Sequence, residues 1–94
     1  MTFMKVYEEV IEERHRQDKK WGVQNHAPYK WLAILGEEVG EANKAVLEND
    51  AQGSGLEGLK NYRAELVQVA AVAIETIECL DRQMVRARLL ERKP

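Results

Sequence analysis

Residues Leu56–Glu91 read LEGLKNYRAELVQVAAVAIETIECLDRQMVRARLLE, and after Gly58 this stretch contains no glycine or proline. Uninterrupted, it would form a helix about 54 Å long at 1.5 Å per residue. That is too long for a 94-residue globule to enclose, so the segment either breaks, with Asp81 the natural place, or projects into an oligomer. Its centre, Leu66, Val67, Val69, Ala70, Ala71, Val72, Ala73 and Ile74, is apolar on every face. A helix that is apolar all round must be buried all round. Two other helices of a short chain cannot surround it, which predicts a homo-oligomer, dimer or tetramer, with this segment at its centre. Met84, Val85, Leu89 and Leu90 add a weaker second stripe.

Working outward, two breaker clusters precede and open this segment. Trp21–Pro28 holds Gly22, Asn25 and Pro28; residues 49–58 hold Asn49, Asp50, Gly53, Ser54, Gly55 and Gly58. Such clusters mark loops. They leave a first helix over about residues 3–20 and a second over about 28–48. In the first, Phe3, Val6, Tyr7, Val10 and Ile11 recur at helical spacing and Thr2 suits the N-cap. Beyond Ile11 it becomes a run of charges, Glu12 to Lys20, that need solvent, a partner helix or a ligand. In the second, Pro28 fits the first turn, where its missing N–H costs nothing. Trp31, Leu32, Ile34, Leu35, Val39, Ala42, Ala45 and Val46 form its buried side. Gly36 and Gly40 are unfavourable in a helix by about 1 kcal/mol each relative to alanine, so they are either tolerated or admit another backbone. The predicted fold is a single all-α domain over residues 1–94, an antiparallel bundle of three or four helices completed by homo-oligomerisation.

Composition removes several function classes. Hydrophobic residues at 45% and charged residues at 32% suit a folded helical protein and argue against disorder. The single cysteine, Cys79, excludes an intrachain disulfide framework and a cysteine-based zinc finger. A net charge of −2 gives no nucleic-acid footprint. The longest apolar run, Val69 to Ile74, is far too short to span a membrane. With Lys5, Glu8 and Glu9 at the start and no apolar leader core, a cytoplasmic protein is expected.

The chemically informative stretch is Gly36-Glu37-Glu38-Val39-Gly40-Glu41. At 100° per residue, Glu37, Glu38 and Glu41 share an arc of about 100° on one helix face. Like charges at this spacing repel, and a divalent cation removes the repulsion; oxygen-only donors suit Mg²⁺ or Mn²⁺. Acidic triplets on helices are commonly just a solvated face. Two features weigh against that here: the cluster sits mid-helix, away from the dipole's positive end, and Glu65 and Gln68 place a second polar pair at i and i+3 beside the most apolar segment.

These residues resemble a family. Glu37-Glu38-Val39-Gly40-Glu41 followed by Glu65-x-x-Gln68, with the upstream Lys20-Trp21-Gly22-Val23-Gln24-Asn25-His26 and Trp31-Leu32, is similar to the MazG-like all-α nucleoside triphosphate pyrophosphohydrolases, whose pattern is E-E-x-x-E on one helix and E-x-x-D on the next. The resemblance covers roughly residues 12–82. It implies Mg²⁺-dependent cleavage of an NTP or dNTP between the α- and β-phosphates, giving a monophosphate and pyrophosphate, in nucleotide-pool housecleaning. By matching position it implies metal ligation by Glu38, Glu41 and Glu65, with Glu37 as a further ligand or the group that orients or deprotonates the attacking water. Gln68 departs from the pattern: an amide oxygen coordinates a cation but brings no charge and cannot act as a base. Glu75 and Glu78, farther along the same helix, are substitute carboxylates. The departure keeps a second reading open, a catalytically weak or inactive nucleotide- or metal-binding module of the same fold.

Among the remaining residues, Trp21 and Trp31 flank a loop and suit either base stacking or packing, with Trp21 the better match to the family's base pocket. Asn25 suits a base edge or a turn. Lys19, Lys20, Lys60 and Arg63 suit phosphate contacts or solvent, and Arg63, two residues before Glu65, is the strongest of them; Arg82 would reach a neighbour's site in an oligomer. Glu12-x-x-His15 is half of a di-iron carboxylate motif without its second copy. Cys79 reads as a small buried side chain.

Overall fold

The computed structural model describes residues 3–51 and 55–92, side chains of 49–51 excepted. The described residues form three α-helices and no strand: α1 (Phe3–Trp21), α2 (Pro28–Ala51) and α3 (Leu56–Glu91). The expected cap Thr2, and Gly53 and Ser54 of the second breaker cluster, lie outside the described residues. Two boundary expectations are corrected. Asn49 and Asp50 continue α2, and Gly58 lies inside α3, buried. No break occurs at Asp81: α3 runs unbroken through it.

Local chemistry accounts for the α1–α2 connection. Gly22 follows the last turn of α1 with φ +73°, and its N–H donates to the Asp18 carbonyl at 2.7 Å. This is the left-handed cap that spends one orphan carbonyl and favours glycine. Ala27 then caps α2 with its backbone, its carbonyl accepting from the N–H groups of Lys30 (3.0 Å) and Trp31 (3.3 Å), while Pro28 occupies the first turn. The loop between is tied to α3. Arg82 Nε donates to Asn25 Oδ1 (3.0 Å), Arg82 Nη2 to the Gln24 carbonyl (3.2 Å) and Gln83 Nε2 to the His26 carbonyl (2.7 Å).

Helix α3 is the shared element. Both α1 and α2 pack along it, and among the described residues no Cα of α1 comes within 8 Å of one in α2. Ile34 and Glu38 of α2 face Val72 and Glu75 of α3, while Glu41 and Ala45 face Glu65 and Asn61, so the two helices run antiparallel. Glu9 meets Arg63 and Arg14 meets Glu75 and Glu78, so α1 runs parallel to α3. The topology is up-down-up.

The apolar core is small: Val10, Trp31, Ala42, Ala71, Val72 and Cys79. Trp31 is its largest member at 2% exposure, its ring edge-on to His26 at 4.9 Å. Leu66, Leu47, Leu59, Ile77, Val85, Leu89 and Leu90 remain exposed. The chain is accordingly elongated, 63 × 27 × 23 Å, with a radius of gyration of 16.7 Å, whereas a compact chain of this length has a radius near ~12 Å.

The two glycines of α2 meet nothing among the described residues. A methyl group added at Gly36 or Gly40 would meet no atom of another element within 4 Å among the described residues, so neither glycine serves a close approach there. Gly40→Ala is therefore expected to stabilise by about 1 kcal/mol, a rise in Tm of roughly 4–8 °C. Gly22→Ala, at its positive φ, is expected to lower stability by about 1 kcal/mol. Thermal melts of both variants test this; a Gly40→Ala protein that melts lower and changes its oligomeric state would place that glycine against a second subunit instead.

Candidate metal and nucleotide site

Because α1 and α2 flank α3 with their backbones held apart, they leave a groove along its face. At one level this groove is a cleft of about 250 Å³. Its floor is Val72 and Glu75 of α3, one wall is Gln17 and Trp21 of α1, the other is Ile34 and Glu38 of α2, and Gln24 closes one end.

Glu38 is the electrostatic centre. It is half-buried, and its carboxyl is pushed above the usual range by burial first, then by the negative charges of Glu65, Glu41, Glu13 and Glu37. Three helices thus contribute charge around one carboxyl. Glu37 and Glu41 stand on the same helix; Glu65 comes from α3 and Glu13 from α1. Among the described residues no lysine or arginine pairs with Glu37, Glu38, Glu41 or Glu65.

Several other carboxylates between α1 and α3 are paired. Arg14 Nη1 bonds Asp18 (2.7 Å) and Glu75 (2.8 Å), and Arg14 Nη2 bonds Glu78 (2.5 Å). Burial raises the Glu75 carboxyl, with Arg14 opposing the shift. Arg63 pairs with Glu9, whose carboxyl falls below the ordinary value through that hydrogen bond. Glu13 accepts from Arg16 Nη2 at 2.7 Å and from Gln17 Nε2 at 3.2 Å.

The residues expected from the sequence are therefore distributed over three neighbouring openings. Glu38 and Trp21 share the cleft just described. Glu41 and Glu65 line a second opening with Lys44 and Glu48. Gln68 and Arg63 line a third, with Glu9, Glu12 and Glu13. Glu37 is exposed beside Glu38. Among the described residues no three His, Cys, Asp or Glu side chains are placed to hold one metal ion together. The fit to a divalent cation is thus one of charge and donor chemistry: oxygen donors only, around a carboxyl whose neighbours all raise the local negative potential.

Trp21 is 62% exposed at the mouth of the cleft, with the Lys20 ammonium 4.8 Å from the centre of its ring. Trp31, by contrast, is core. Asn25 spends its side-chain oxygen on Arg82, and so both residues brace the loop. Glu75 and Glu78 are committed to Arg14. His15 is exposed. Sequence reasoning missed Glu13, Gln17, Gln24 and Arg14. Glu13 and Gln17 were visible only as part of a charged run, and nothing in helical periodicity says which level of α3 they meet.

No protein-family model, no curated protein and no solved structure matches this chain. No helix among the described residues is long and apolar enough to cross a membrane.

The raised Glu38 carboxyl makes a pH prediction. The folded state binds this proton more readily than the unfolded state, so the Glu38 contribution to stability is present at low pH. It is lost as pH rises from the ordinary carboxylate value, about 4.3, through the raised one. Without divalent cations, Glu38→Gln is expected to melt higher than the parent at neutral pH and to converge with it in acid. Parallel melts across pH measure the difference; a variant that melts lower at neutral pH would show that the ionised carboxylate stabilises the fold.

Proposed function

We propose that the protein is a Mg²⁺-dependent nucleoside triphosphate pyrophosphohydrolase, converting an NTP or dNTP to the monophosphate and pyrophosphate, with a MazG-like helical fold that works as a homodimer or homotetramer. The observation that carries the reading is the set of unneutralised carboxylates, Glu37, Glu38, Glu41 and Glu65, gathered from two helices around Glu38 and adjoining a ring-sized cleft. Glu38, Glu41 and Glu65 would hold the metal, with Gln68 as a neutral oxygen donor; Mn²⁺ would serve the same donors. When bound, the ion supplies charge neutralisation for the phosphates and a lowered pKa for water. This chain's own part is to place Glu37 beside Glu38 as an acceptor for the attacking water's proton, to offer Trp21 as a stacking surface for the base, and to keep Lys20 near the cleft mouth for phosphate. Arg63 would reach phosphate only by leaving Glu9. Exposed apolar side chains along α3, Leu59, Leu66, Ile77, Val85, Leu89 and Leu90, support the oligomer.

One observation favours the weaker reading, a nucleotide- or metal-binding module without turnover. Gln68 lines a different opening from Glu38 and Glu41 and, as an amide, brings no charge to them.

The deciding assay is pyrophosphate release from a panel of NTPs and dNTPs with Mg²⁺ or Mn²⁺. Glu41→Gln is expected to cut the rate by at least about a hundredfold, the loss of several kcal/mol of charge stabilisation. It should also abolish the rise in Tm that Mg²⁺ gives the parent by binding the native state. Release that appears only in Gln68→Asp would select the binding-module reading. A parent that neither releases pyrophosphate nor responds to Mg²⁺ would leave the cluster a solvated face.

A further inference from the structure

The cleft beneath Trp21 has a floor that the metal chemistry does not use. Glu75 is only 8% exposed, an unusual place for a carboxylate. Arg14 Nη1 holds Oε2 at 2.8 Å, which keeps the side chain fixed and its charge compensated. Oε1 has no partner among the described residues, and Glu75 lines the cleft. Around it stand apolar surfaces from Ile34 and Val72 and the amides of Gln17 and Gln24. Gln17 Nε2 is spent on Glu13, and Gln24 Oε1 on His26, so each amide is anchored at one end and has its other end to offer. The volume, about 250 Å³, falls below the ~300–1,000 Å³ of sites that take a whole drug-sized ligand. It suits one flat ring, with the rest of the ligand outside.

We propose that Glu75 is a specificity-determining residue, accepting an N–H from a nucleobase seated in this cleft and so selecting bases that carry an exocyclic amino group over thymine and uracil. The proposal rests on the nucleotide reading above. Its chemistry is that of an acceptor-only group: a carboxylate pairs with an amino N–H but repels a carbonyl oxygen. The N3–H of thymine and uracil lies between two carbonyls, so a fixed carboxylate approaching it meets oxygen on both sides. An amino group on cytosine, adenine or guanine presents N–H alone, and in guanine a ring N–H lies beside it. Fixing by Arg14 matters because a buried acceptor that cannot turn away discriminates by leaving the wrong partner unpaired.

The test is binding of dCMP, dAMP, dGMP and dTMP without metal, followed by calorimetry and by Trp21 fluorescence. At least one amino-bearing base is expected to bind about tenfold or more tighter than dTMP, the worth of one hydrogen bond to a charged group. Glu75→Gln, which places a donor in reach of a carbonyl, is expected to shrink that ratio to about twofold or less. Val72→Phe narrows the cleft while keeping Glu75 and Arg14 and is expected to weaken all four ligands about tenfold or more; if Glu75→Gln does not fold, it tests whether the base sits over Glu75. Equal affinity for all four bases, an unchanged ratio in folded Glu75→Gln, or a Val72→Phe protein that binds like the parent would each overturn the proposal. Pyrophosphate release without base discrimination would remove Glu75 and keep the hydrolase. Discrimination among monophosphates without pyrophosphate release would keep Glu75 and remove the hydrolase.

Discussion

Everything in this structure follows from one constraint: a single long helix, α3, has to serve two partners that do not meet. With α1 and α2 on either side, α3 buries Ala71, Val72 and Cys79 but leaves a groove between its neighbours. A three-helix bundle that closed on itself would fill that space with apolar side chains. Here Gln17, Gln24, Glu38 and Glu75 share the groove with the apolar Trp21, Ile34 and Val72. The thin core and the exposed leucines are the other side of the same geometry. A chain that packs only two helices against a third of 36 residues cannot cover that helix along its length.

Much of the fold was legible in the sequence because its signals are local. Glycine, proline and asparagine clusters mark the loop ahead of α2, Pro28 marks its first turn, and the absence of breakers after Gly58 carries α3 to Glu91. The position of Gly58 was misread because a glycine near other glycines looks like loop; inside α3 it is instead a buried residue with no side chain to place. The Glu37–Glu41 cluster was legible because its spacing lies within one helix. Glu13 and Arg14 were not, since their significance depends on partners more than fifty residues away, and that register is set by packing rather than by periodicity.

Asn25 and Arg82 show the same limit from the other side. Each is the right residue type for a ligand contact, and each is spent on the other. A loop that must cross from α1 to α2 with no direct packing between those helices needs an anchor, and α3 provides it through Arg82 and Gln83. Residue type proposes a role, but unpaired polar capacity decides it: Asn25 has spent its oxygen, whereas Glu75 retains one.

That criterion also sorts the carboxylates. Arg14 gathers Asp18, Glu75 and Glu78, Arg63 takes Glu9, and Arg16 takes Glu13. Three arginines of α1 and α3 are thereby used on one side of the groove. Across it, Glu37, Glu38, Glu41 and Glu65 receive none. Repulsion and burial together keep the Glu38 carboxyl protonated to higher pH than an exposed glutamate. A like-charge pair at helical spacing costs roughly 0.2–0.5 kcal/mol, and Lys44, which lines the same opening as Glu41 and Glu65, pairs with Glu48 instead of relieving them. The result is an uneven division: negative potential on the α2 side of the groove, and on the other side the half-buried Arg14 guanidinium, which holds Asp18, Glu75 and Glu78 in place.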